Sequence, residues 1–304
     1  MKETFLILSI DGGGIRGIFP ALVLDCISQR LNINLNEYLD MIAGTSTGSI
    51  IASAIACKVS TNKILTLYED FGKEIFTARK LSFPLFKTIF RSKYSNLNLK
   101  RELEKIFGEI RLGDISMPLL IASTDIGNGT AHLFRSDYSK GFTRDRNVLV
   151  SEAILASCSA PLFFDPTKVG NYLLADGGIW ANNPSLAALI DAQKRLNIDF
   201  KKIKILSIGT GTSRKEYEIN ANKNWGLITG WKGTELISFI MNIQSQSIHN
   251  YIRLLVRDEQ ILRLNFETDL PLPLDDWSNV DNLISRADKV FTYESAKIRK
   301  FFNL

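Results

Sequence analysis

Three short stretches of the chain hold residues that could do chemistry. "GTSTGS" at 44–49 sets one serine, Ser46, between glycines at the spacing Gly-x-Ser-x-Gly. That is the spacing of a strained strand-to-helix turn that lifts a serine nucleophile above a sheet. "DGGGIRG" at 11–17 supplies a glycine loop. Backbone N–H groups in such a loop can hold a developing oxyanion, at about 3 kcal/mol per donor. A serine nucleophile also needs a base, and the chain has only two histidines. His132 lies in the strand-like "TAHLF" and His249 in "SQSIHNYIRLL". Neither falls on a late loop, where a triad histidine belongs, so both read as structural. A carboxylate held against the hydroxyl can take over the role, although its ordinary pKa of about 4 makes it a poor base in water. Asp176 in "LLADGG" leads, since a strand there runs into a tight Gly177-Gly178 turn. Asp11, Asp125 and Asp165 compete, and an aspartate before two glycines is ordinarily just a turn residue.

Such residues act only if a rigid frame positions them. Phe5 to Ile10 is a short apolar run that reads as a buried strand, with a helix expected after the glycine loop. "DMIAG" and "TGSIIASAIACK" repeat strand then helix, and residues 61–78 have helical spacing. Further on, Asn98 and Ser151 are expected to cap helices, and Asn183 to cap another with Pro184 at its first position. "PLLIASTD", "AHLFRS", "YLLADGG" and "IKILSIGTG" read as strands. This alternation predicts an α/β fold with a mostly parallel central sheet and helices on both faces. The character changes after Gly211: a long helix, the strand "ILRLNF" and a closing helix over 279–303 are expected. Residues 1–215 are expected to form the catalytic domain, and 216–304 a mostly helical extension packed on the same core.

The chain has 304 residues, 45% of them hydrophobic and 23% charged. This suits a packed globular protein and excludes a disordered one. Cys26, Cys57 and Cys158 form no CxxC pair, which suggests a reducing compartment. The N-terminal apolar run is too short for a signal peptide and no stretch is long enough to span a bilayer, so a soluble, cytoplasmic protein is expected. The net charge of +5 is compatible with an anionic membrane or a nucleotide ligand. No RNP motif, Cys/His finger or arginine block points to a nucleic-acid polymer. No HExxH or EF-hand spacing is present, so neither metal nor cofactor is expected.

A rival reading starts from the same loop. Gly12, Gly14 and Gly17 fit Gly-x-Gly-x-x-Gly between a strand and a helix, and Glu37 lies about twenty positions on. That pattern would make an NAD-type dinucleotide-binding domain, or a non-catalytic binding module. Asp11 before the glycines and Arg16 among them are not part of that fingerprint, and it has no use for a second turn exposing Ser46. A P-loop is excluded, because no Gly-Lys-Ser/Thr follows either glycine run.

Taken in order, "DGGGIRG", "GTSTG" and "DGG" at 176–178 resemble the patatin-like phospholipase family, as do "ASCSAPLFF" at 156–164, "NNP" at 182–184 and "LSIGTG" at 206–211. The resemblance covers roughly two-thirds of the chain. It implies a three-layer α/β/α fold and a serine–aspartate dyad that cleaves fatty-acyl esters of membrane glycerophospholipids through an acyl-enzyme. Ser46 matches the family's nucleophile and Asp176 its base. Gly12, Gly13 and Gly14 match its oxyanion loop, with the N–H of Thr47 as an added donor. Arg16 matches the loop arginine, expected to steady the loop or to meet the lipid phosphate. Gly178 stands where many members have alanine.

Two segments suggest partners. Residues 76–95, "FTARKLSFPLFKTIFRSKYS", interleave Arg79, Lys80, Lys87, Arg91 and Lys93 with aromatic residues and carry no acid. This suits an anionic lipid interface, and hence a protein peripheral at the membrane when active. It equally suits a surface segment whose aromatics pack on the core. The stretch 224–258 more loosely resembles patatin-like effectors of bacterial antiphage systems switched on by cyclic nucleotides. It would add Arg253 and Arg257 as phosphate contacts to a cyclic nucleotide activator, or as an ordinary solvated helix face.

Overall fold

The computed structural model describes residues 4–60, 63–66, 68, 92–214, 217, 224–226 and 229–304. The first strand, β1 (Phe5–Ile10), leads through a 3-10 turn at Gly14–Gly17 into α1 (Ile18–Leu31). Then come β2 (Met41–Thr45), α2 (Thr47–Ala56) and α3 (Asn96–Phe107). The middle of the chain forms β3 (Leu119–Asp125), β4 (Thr130–Arg135), α4 (Val150–Ser157), β5 (Thr167–Val169) and β6 (Tyr172–Asp176). It continues with α5 (Ser185–Arg195), β7 (Ile203–Ile208), α6 (Thr234–Leu255), β8 (Ile261–Leu264) and α7 (Val280–Phe302).

Hydrogen-bonded strands connect along the path β5-β6-β3-β2-β1-β7-β8, with β4 on one edge of β3 and β2 and β6 following each other along its other edge. From β3 to β8 the pairs are parallel, whereas β4, β5 and β6 run antiparallel to their neighbours. The expected α/β fold with a mostly parallel sheet is therefore what the chain adopts. Successive side chains of a strand face opposite ways, and both faces are apolar. Leu6, Leu8 and Ile10 join a large core with α1, α2, α3, α4 and α7. Ile7, Met41 and Ala43 join a smaller one against Ala188, Leu189 and Ala192 of α5 and Ile252 of α6.

Some expected boundaries shift. The cap of α3 is Ser95, whose side chain accepts from the Leu97 N–H at 3.3 Å, and Asn98 lies inside the helix. At α4, Ser151 is buried within the first turn, and the Glu152 carboxylate instead accepts from the Leu149 N–H at 3.3 Å. Asn183 does act at the start of α5, where its Oδ1 accepts from Ser185 N at 3.0 Å, while Pro184 sits one place before the helix. Strand β5 had no signal, being three residues long. Most of the helix expected at 61–78, and all but the last four residues of the basic segment at 76–95, lie outside the described residues. Among those described, no helix is long and apolar enough to cross a membrane. The C-terminal part is mostly helical, yet β8 adds a strand to the main sheet beside β7.

Candidate active site

The turn carrying Ser46 is built by close backbone packing. A Cβ on Gly44 would lie 2.3 Å from the Gly48 carbonyl oxygen, and one on Gly48 would lie 2.3 Å from that of Ile10. Only glycine lets β2, α2 and the end of β1 approach this closely. Between them Ser46 is held at φ 52°, ψ −126°, a conformation that costs a non-glycine residue of order 1–3 kcal/mol. Its neighbours over-determine it. The Ser46 N–H donates to Ser157 Oγ at 2.8 Å, and Ser157 Oγ donates to the Ala122 carbonyl at 2.5 Å. Ser49 N and Oγ both donate to the Ser46 carbonyl, at 2.8 and 2.6 Å.

Sheet register then decides which aspartate meets the serine. One edge of β3 is taken by β4 along its length. The other edge is shared: β2 pairs with it as far as Thr45 opposite Ala122, and β6 takes over with Asp176 opposite Ser123. Ser46 leaves the sheet where Asp176 arrives. Both side chains line one apolar cavity, with Ile15, Ile50, Leu99, Phe163, Phe164, Met241 and Leu274 among its walls. The other aspartates are engaged elsewhere. Asp11 forms a bidentate pair with Arg263 at 2.8 and 2.6 Å. Asp125 accepts from the Gly127 and Asn128 N–H groups in a turn, and Asp165 accepts from Ser92 Oγ at 2.7 Å.

Asp176 is 1% exposed and Ser46 is 6% exposed. Burial pushes the Asp176 carboxyl up to about 7. The Gly178 N–H, which donates to Oδ1 at 2.6 Å, and the Ser46 hydroxyl partly oppose that rise. Oδ2 accepts no hydrogen bond among the described residues. Gly177 is required here, since a Cβ would lie 2.3 Å from the Ala122 carbonyl oxygen. The Gly178 position leaves room for the Met241 terminal methyl of α6, 2.9 Å from where a Cβ would sit.

The glycine loop borders the same cavity. The Gly12 N–H donates to the Asn182 carbonyl at 3.0 Å, so it is already committed. No such bond is formed by the N–H of Gly13 or Gly14 among the described residues. Arg16 lies beneath, 1% exposed, and its Nε donates to the Gly13 carbonyl at 3.1 Å. The space beside these glycines is filled by the protein. A Cβ would lie 2.4 Å from Asn182 Oδ1 at Gly12, 2.3 Å from Thr210 Oγ1 at Gly13, 2.1 Å from the Leu274 carbonyl oxygen at Gly14 and 2.1 Å from Thr47 Oγ1 at Gly17. A pyrophosphate has no berth there, and Glu37 is an exposed residue accepting from Asn34 Nδ2 at 2.7 Å. The dinucleotide-binding reading is therefore set aside.

The histidines stand apart from the cavity. His132 packs edge-on between Phe134 and Tyr172, at 4.5 and 4.9 Å between ring centres. Burial first, and the neighbouring arginines second, push His249 down to about 4. Arg253 and Arg257 lie at and just beyond the exposed end of α6, beside Asp258 and Glu259 at 3.9 and 3.3 Å. Sequence reasoning missed Ser157, Met241 and Leu274 as parts of the site. Ser157 lies in the quoted block 156–164, but nothing in its type marked it as the partner of the Ser46 N–H. Met241 and Leu274 carried no signal, because they reach the cavity from the C-terminal part.

A family model described as patatin-like phospholipase matches residues 8–189. The chain is 27% identical to a cGAMP-activated phospholipase of Escherichia coli (strain TW11681), over 99% of this chain and 93% of that one. It is 27% identical to a cUMP-AMP-activated phospholipase of Escherichia coli, over 97% and 93% of the two chains. It is 29% identical to Patatin-like protein 1 of Arabidopsis thaliana, over 94% and 81%.

Proposed function

Because the chain belongs to the patatin-like phospholipase family and is a lipid acyl hydrolase, we propose that Ser46 is its nucleophile and Asp176 its base. The observation that carries this is the shared edge of β3, which delivers a strained serine and a buried carboxylate into one apolar cavity. Ser46 Oγ attacks the carbonyl of a fatty-acyl ester in a membrane glycerophospholipid, and its proton passes to Asp176 Oδ2. A carboxyl titrating near pH 7 is partly ionised at neutral pH and returns its proton readily to the departing alkoxide. Water then attacks the acyl-enzyme, with Asp176 again as base, and the fatty acid leaves.

The N–H groups of Gly13 and Gly14 are the donors we assign to the oxyanion, with that of Thr47 beside them. Gly12 serves by letting the Asn182 side chain and Ser46 come close. Buried as it is, Arg16 steadies the Gly13 carbonyl and does not meet a lipid headgroup.

The same reading makes the enzyme latent until a cyclic nucleotide binds, in the manner named for two of its relatives. The cavity at Ser46 supports this. Its volume is about 60 Å³, whereas small-molecule sites hold roughly 300–1,000 Å³. A lipid enters only when the walls part. Lipid access also places the active enzyme at the membrane surface.

The test is fatty-acid release from vesicles of mixed neutral and anionic phospholipids, with and without cyclic GMP–AMP or cyclic UMP–AMP. Release is expected to rise at least tenfold with a nucleotide. A chain that releases no fatty acid under any of these conditions contradicts the proposal.

A further inference from the structure

A second apolar cavity lies outside the one at Ser46, and the two share a wall. Its volume is about 210 Å³, and Ile50, Ala54, Ile64, Ile106 and Phe107 line it. Ile50 also lines the cavity at Ser46. The same pieces of chain enclose both. Helix α2 gives Thr47 and Ile50 to the inner cavity, and Ile50 and Ala54 to the outer one. Helix α3 gives Leu99 to the inner cavity and Phe107 to the outer, with Leu103 between them on its buried face. Tyr68 lines the inner cavity and Ile64 the outer. Both are helical, and a separation of four residues puts them on one helix face. Three helix faces thus lead outward from Ser46.

A fatty-acyl chain bonded to Ser46 Oγ needs such a path. The inner cavity, about 60 Å³, takes only the carbonyl end of it. Thr47, Ile50 and Ala54 form one stripe of α2, at the spacing i, i+3, i+7. A chain lying along that stripe advances roughly 12 Å from Ser46 to Ala54, at about 1.5 Å per residue. It then stands in the outer cavity.

The outer cavity asks nothing polar of its occupant. None of the buried, unpaired polar atoms among the described residues belongs to its lining. Its polar members among those residues are Lys63 and Lys105, both exposed, and Lys105 pairs with Glu102 at 2.5 Å. Their ammonium groups stay in water while their stems close over the apolar end. An aliphatic chain is what such a lining fits.

We infer that the outer cavity is the distal acyl subsite of the enzyme and that Ile50 is the gate between the two cavities. The methyl end of a long fatty-acyl chain passes Ile50 and lies against Ala54, Ile64 and Phe107. Each methylene buried there favours binding by about fourfold, so the subsite selects long-chain over short-chain esters. The inference rests on the reading that Ser46 is the nucleophile, and it adds where the acyl chain bonded to that serine lies.

The test compares two fluorogenic esters of one alcohol, butanoyl and hexadecanoyl, presented to the full-length chain in the same mixed micelles. The readout is the hexadecanoyl-to-butanoyl ratio of kcat/KM. Ala54→Phe fills the outer cavity. It is expected to lower hexadecanoyl hydrolysis by about tenfold or more, the burial of two methylenes or more, with butanoyl hydrolysis unchanged. Val59→Trp, at a half-buried position on the same wall, is expected to act in the same direction. It keeps the test decisive if the fold does not accept phenylalanine at 54. Ile50→Ala opens the gate and is expected to raise the ratio, even though losing a core side chain lowers its unfolding midpoint. A ratio unchanged in the folded variants Ala54→Phe and Val59→Trp overturns the assignment, whether the two rates hold level or fall together. The reading of Ser46 fails separately, if Ser46→Ala still hydrolyses the butanoyl ester at the unmodified rate.

Discussion

Replacing Ser46 with alanine, or Asp176 with asparagine, is expected to lower fatty-acid release by roughly 10⁴-fold or more, and the double variant is expected to be no worse than either single one. Groups that act as one unit are not additive, since once either is lost the other has nothing to do. Here the geometry makes them such a unit. Ser46 and Asp176 are delivered to the same point on β3, and neither histidine lines their cavity. Rates of the three variants in one vesicle assay decide the matter. Losses that multiply in the double variant would mean that Ser46 and Asp176 act in separate steps. The retained residual rate should reflect binding and the Gly13–Gly14 donors alone.

The second large effect is on stability, and it has the opposite sign. In the folded chain, burial keeps the Asp176 carboxyl protonated up to about pH 7. In the unfolded chain it titrates near 3.9. Between those values the folded state binds more protons than the unfolded state, so stability falls as pH rises. The contribution is fully present below about pH 4 and is lost by about pH 7. At 1.36 kcal/mol per pKa unit the loss is about 4 kcal/mol. Asparagine at 176 does not titrate, and its amide oxygen can still accept from the Gly178 N–H. Asp176→Asn is therefore expected to be more stable than the natural chain at pH 8, by an amount that shrinks toward zero near pH 4. Urea midpoints at several pH values measure it, and a gap that stays constant with pH would contradict the burial argument. The same carboxyl sets the acid limb of the pH–rate profile, which should rise through about pH 7.

How far the sequence carried depended on how local each feature was. The turn at 44–48 was legible because the apolar run before it, the two glycines and the helix after it are all contiguous. The parallel frame was legible from the alternation of apolar runs with helical periods. Helix starts at Ser95 and Val150 were misjudged because several polar residues near each start compete to cap it, and only the backbone path decides. The edge shared by β2 and β6 on β3 was not legible at all. It pairs residues far apart in the chain, and no period or spacing encodes which aspartate will stand opposite Ser123. For the same reason residue type alone put Asp176 only modestly ahead of Asp11, Asp125 and Asp165, and the family resemblance singled it out; of these four, the fold brings Asp176 into the cavity with Ser46. The contributions of Met241, Leu274 and Arg263 come from a C-terminal part that reads simply as helix and strand. Its role as the far wall of the site emerges only from packing.

The central claim is that Ser46 is an activated nucleophile, and a fluorophosphonate tests it most directly. Treated at pH 8 with the activating nucleotide present, the chain should gain one adduct. Peptide mass spectrometry should place that adduct on Ser46, with labelling lost in Ser46→Ala and strongly slowed in Asp176→Asn. An adduct on another serine, or labelling that persists in Ser46→Ala, would contradict the account.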